Sequence, residues 1–174
     1  MELTELLIRQ TADAYEWTNK IMHSVPEKDW DQTPETIDSN VSWQVGHLIV
    51  STYFHSIMTI VGHQKDILKK VSMREYSALY GYESIPAKAV GKTAADRLQI
   101  DLHLIQERSL DVIRSLKPED LNQALEPTKI PHPVATTKME ALDWNIKHTM
   151  WHCGQLAILK RMVGERWDFG LKKA

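Results

Sequence analysis

Cysteine occurs once in these 174 residues, which excludes an intrachain disulfide framework and makes a reducing cytoplasm the compartment expected. Clustered positive charge is also missing. With 21 basic residues scattered among 23 acidic ones, a net charge of -2 and a pI near 6.4, the chain lacks the polybasic field that displaces counterions from phosphate, so nucleic acid is not an expected partner. No apolar run approaches the roughly 18 to 20 residues that span a bilayer, which argues against a membrane partner. The start, Met1-Glu2-Leu3-Thr4-Glu5, is acidic and lacks the basic region of a signal peptide. Internal repeats, low-complexity segments and sustained β-type alternation are absent too.

What remains is helical periodicity in a chain long enough for one good core, read as a single domain over residues 1–174. Leu3, Leu6, Leu7, Ala14, Trp17 and Ile21 recur at helical spacing, predicting a first helix from Leu3 to about Ser24 with Pro26 just beyond. Asp29 to Ser39 reads as loop. Ser42 is the expected cap of a second helix carrying Val45, Leu48, Ile49, Phe54, Ile57 and Ile60, with Gly62 as its stop. Thr93 is the expected cap of a third, whose buried stripe is Leu98, Leu102, Ile105, Leu110, Ile113 and Leu116. Pro118 suits the first turn of a short extra helix. Thr137-Lys-Met-Glu140 has the form of a capping box and opens a fourth helix running to about Val163, before Gly164. Gln64 to Val90 forms a long connection, with a short surface helix expected at Met73–Tyr80. The architecture predicted is all-α, a four-helix bundle with a long crossover between helices two and three.

His148-Thr-Met-Trp-His152-Cys-Gly-Gln155 is the stretch that carries chemistry. Side chains four apart share a helix face, so both imidazoles can grip one ion. Two ligands do not make a site, and a metal with an open position usually takes three protein groups. The third can come from His23, His47, His55, His63, His103 or His132. His47 is the best placed, inside helix two after Gly46, which would let a neighbouring helix approach closely.

In Ser42-Trp43 through His47, and in His148, His152, Gly154 and Gln155, the chain resembles the DinB-like or YfiT-like family of metal-dependent bundle proteins. The resemblance implies that fold over essentially the whole chain. It also implies that His47, His148 and His152 ligate a divalent metal ion, with zinc or nickel the expected species and water or substrate completing the shell. Some relatives are transferases or isomerases that use a low-molecular-weight thiol. The implied activity is therefore a metal-dependent thiol transferase acting on a small-molecule substrate. The alternatives are a hydrolase on the same site and a non-enzymatic metal-binding or stress-associated bundle. The resemblance further implies a homodimer. Cys153 stands where the family pattern often has an arginine, so that arginine's role toward an anionic substrate is not carried over.

The neighbours of these histidines have two readings each. Gln155 either orients a ligand or substrate or fills a polar gap in the core. Trp43 and Trp151, with Trp144, either line a cofactor or substrate pocket or are plain core aromatics. His55, two turns beyond His47, is a ligand, a supporting group or a core histidine, whereas His132 between two prolines reads as an exposed loop residue. Cys153 turns about 100° from the ligand face and reads as a buried, inert thiol. Glu140 and Asp143 either accept from ligand histidines or are solvated charges.

Overall fold

The computed structural model describes residues 2–168 and 170 and is all-helical; among the described residues the only β-type pairing is an isolated bridge between Ala124 and Thr137. The first helix, α1, spans Leu3–His23. Its inward stripe is Leu7, Thr11, Ala14, Thr18 and Ile21, while Leu3 is exposed. An apolar count passes over the two threonines, yet Thr18 is buried at no polar cost because its hydroxyl donates to the Ala14 carbonyl, 2.8 Å away.

Helix α2 spans Val41–Tyr53 and continues through a π-helical turn, Phe54–Met58, and a last turn, Thr59–Val61. Its cap is Asn40 and not Ser42. The Asn40 carboxamide accepts the Trp43 amide hydrogen at 2.8 Å, which draws Ser42 into the buried first turn. Gly62 ends the helix at φ 76°, a value that disfavours any residue with a Cβ.

The connection expected to hold one surface helix holds three, α3 at Lys65–Leu68, α4 at Met73–Tyr80 and α5 at Pro86–Ala89. Helix α4 buries Tyr76 and Tyr80 and packs against α2. Helix α6 spans Ala95–Ser115, with Ala94 as its cap in place of Thr93. A 3-10 turn follows at Pro118–Asn122, where a short extra helix was expected. Helix α7 spans Lys138–Val163 and opens on the predicted capping box of Thr137 and Glu140.

Helices α1 and α2 each pack against both α6 and α7. One hydrophobic cluster joins them, with Leu7, Leu48, Ile57, Leu102, Ile105, Leu142 and Leu156 at its centre. The Tyr15 hydroxyl adds a polar tie, meeting Ser109 Oγ at 2.8 Å and accepting from Asn145 Nδ2 at 3.0 Å. Because α2 and α7 are packed side by side, histidines on their facing sides are brought together. No helix among the described residues is long and apolar enough to cross a membrane.

Candidate metal centre

His47 owes its position to a glycine and a tyrosine. A Cβ on Gly46 would lie 2.3 to 2.6 Å from ring atoms of Tyr80, so only glycine lets α4 end this close to α2. That approach delivers the Tyr80 carbonyl oxygen to within 2.8 Å of His47 Nδ1. A carbonyl only accepts, so Nδ1 carries the proton and donates it. His47 Nε2 is left as a lone pair. Trp43, one turn earlier, stacks on the imidazole with ring centroids 4.9 Å apart and planes 14° from parallel, and its indole N–H is held by Ser84 Oγ at 2.8 Å.

From α7, His148 and His152 face the same point. The nearest ligand atoms of His47, His148 and His152 all lie within 4.8 Å of one another, and this is the one group of three or more His, Cys, Asp or Glu donors among the described residues. The two Nε2 atoms of His148 and His152 are 3.3 Å apart. A tetrahedral ion held at about 2.0 to 2.1 Å from each nitrogen would set roughly that separation. His152 Nδ1 meets Gln44 Oε1, so the imidazole donates there and turns the Nε2 lone pair toward the cluster. Gln44 is itself fixed, its Nε2 donating to Ser39 Oγ at 2.7 Å and to Gln155 Oε1 at 2.8 Å.

Burial keeps these rings neutral. Desolvation pushes His148 down to about 4 and His152 to about 2, with the neighbouring imidazoles as the smaller cause. His47 is lowered by burial as well, partly offset by its bond to the Tyr80 carbonyl. Neutral imidazole is the form that ligates metal. Two lone pairs turned inward by the Tyr80 carbonyl and the Gln44 amide oxygen, beside a third ring whose Nε2 lies 3.3 Å from that of His152, fit a divalent cation.

The remaining expectations fall out differently. Gln155 is exposed and, among the described residues, is tied to the triad through Gln44. Trp43 touches His47. Trp151 is 59 % exposed, and its ring packs edge-on against Trp144 at 5.1 Å, while Trp144 is the aromatic that lies 6.2 Å from His148. His55 is buried, with its ring 5.3 Å from that of His148, outside the donor group. His132 does lie in a loop but is only partly exposed and bonds His55 at 2.8 Å, so the reading of it as an exposed residue is corrected. Its neighbouring prolines disguise a folded loop. His23 and His103 line a separate cavity of about 340 Å3 between α1 and α6, and His63 Nδ1 lies 3.3 Å from the Tyr53 hydroxyl.

Cys153 is buried, and desolvation raises its thiol pKa, with Thr18 opposing. Glu140 serves the helix cap through Thr136 and Thr137, and Asp143 pairs with Lys147. Sequence reasoning missed Gln44, although it precedes His47 by three residues on one helix face.

Fold and site together define an all-helical protein with a three-histidine cluster between two packed helices, His47 and His152 buried and His148 half-buried. The model of the DinB superfamily matches residues 10–156, a span that takes in all three histidines and Gln155. The chain belongs to the DinB superfamily. No curated protein matches it.

Proposed function

We propose that His47, His148 and His152 hold one divalent cation, zinc or nickel, and that the protein is a metal-dependent enzyme of the thiol-transferase type built on a four-helix bundle with a long crossover. The observation that carries the reading is the convergence of three imidazoles whose donor atoms lie within 4.8 Å of one another, with Tyr80 and Gln44 orienting two of them from outside. A cation bound by three neutral ligands keeps its full charge and acidifies a coordinated thiol or water.

The protein's own groups do the rest. Tyr80 and Gln44 fix tautomers, which spares the ligands reorganisation on binding. Trp43 and Trp144 wall the cluster with aromatic surface, lowering the local dielectric and strengthening its electrostatics. Exposed Trp151 beside Trp144 offers an apolar rest for a small electrophilic substrate. Cys153, buried and held protonated, is not the nucleophile in this scheme. A small external thiol is.

Turnover of small electrophiles by metal-loaded protein, measured with and without a low-molecular-weight thiol, tests the reaction class. Thiol-dependent turnover is expected. Turnover that proceeds equally without thiol would assign a hydrolase to the same cluster.

A further inference from the structure

Beside the triad sits a second pair of histidines whose protons are fixed by backbone amides. His132 Nδ1 accepts the amide hydrogens of Val134 at 3.3 Å and Ala135 at 2.9 Å, so the neutral ring carries its proton on Nε2. That nitrogen lies 2.8 Å from His55 Nδ1, which must therefore accept. His55 is left with its own proton on Nε2. Phe54 keeps the relay in place, stacking on His132 with centroids 5.6 Å apart and planes 8° from parallel. The π-helical turn Phe54–Met58 supplies both Phe54 and His55, a backbone irregularity often found at functional positions.

His55 lies beside His148 and Trp144 and is 6 % exposed; its ring hydrogen bond to a described residue is made through Nδ1, and Nε2, which is not among the fully buried unpartnered atoms, keeps access to solvent. A donor whose proton is fixed by His132 and which opens to solvent beside a cluster of neutral imidazoles is an arrangement suited to an acceptor that arrives from outside in place of water. We propose that His55, oriented by His132, donates its Nε2–H to a small anion with oxygen or nitrogen lone pairs, such as a carboxylate, bound at the histidine cluster. The proposal rests on the metal reading above. His55 is a binding residue in it and His132 a positioning residue.

The test uses the full chain. Histidine 15N NMR of the metal-free protein should show His55 and His132 each protonated at Nε2; His55 protonated at Nδ1 would overturn the proposal. In cobalt-loaded protein, azide binding followed by visible absorption should weaken at least about tenfold in His55→Phe, with cobalt content retained. His55→Gln, which keeps an N–H donor at the corresponding position, should recover most of the affinity, and His132→Ala should weaken it through loss of the fixed tautomer. Azide affinity unchanged in His55→Phe overturns the proposal alone. Failure of the parent protein to take up cobalt sinks the metal reading, and this proposal with it.

Discussion

At the residue scale, the triad depends on what stands behind each imidazole. Gln44 is the clearest case, because its oxygen selects the His152 tautomer while its amide is anchored to Ser39 and Gln155. Gln44→Leu should weaken metal affinity about 10- to 100-fold with little loss of helix, read by competition with a chromophoric chelator and by circular dichroism. Unchanged affinity would remove Gln44 from the site. The three histidines that the structure brings together were legible from spacing and resemblance. Gln44 was not, because a glutamine three residues before a histidine has no chemistry of its own until Gln155 and Ser39 turn it.

The buried histidines also set a pH dependence. Unfolded histidine titrates near 6.5, whereas burial holds His148 at about 4, and His55 and His152 at about 2. Folded values below the unfolded one mean that stability is complete above about 6.5 and is lost as pH falls, since only the unfolded chain takes up protons there. Between about 6.5 and about 4 all three contribute. The metal-free protein should show Tm falling through that window with a dependence steeper than one proton. A flat Tm would contradict neutral, buried rings.

At the element scale, the close end of α4 against α2 is what aims His47. Gly46→Ala places a methyl inside the Tyr80 ring, so α4 must shift. Overpacking of this kind costs about 1 to 3 kcal/mol, measurable by denaturant unfolding, and should lower metal affinity together with stability. Tolerance of alanine with affinity intact would show that the Tyr80 carbonyl is dispensable. The glycine's role was readable as a close approach, but its partner was not. Tyr80 comes from a connection whose local pattern resembled a surface helix, and only its burial at α2 reveals the contact. The π-helical turn likewise has no periodic signature, since it changes hydrogen-bond register by one residue while Phe54, Ile57 and Ile60 still read as an ordinary apolar stripe. By contrast Thr137 and Glu140 were fully legible, because a capping box is satisfied within four residues.

At the scale of the whole molecule, the apolar cluster running through α1, α2, α6 and α7 includes none of the three histidines. The fold therefore should not need the ion. Chelation is expected to lower Tm by no more than ligand linkage requires, leaving far-UV dichroism unchanged; loss of helix on chelation would make the cation structural. The packing of α2 beside α7 came from long-range contacts that no local pattern encodes, yet amphipathic stripes of the right length sufficed to predict an all-helical chain. The most direct measurement is the metal content of protein purified without an affinity tag, set beside that of His148→Ala. About one divalent ion per chain in the parent and background levels in the variant is the predicted result, and a parent chain that binds no stoichiometric metal, or a variant that keeps it, would contradict the account.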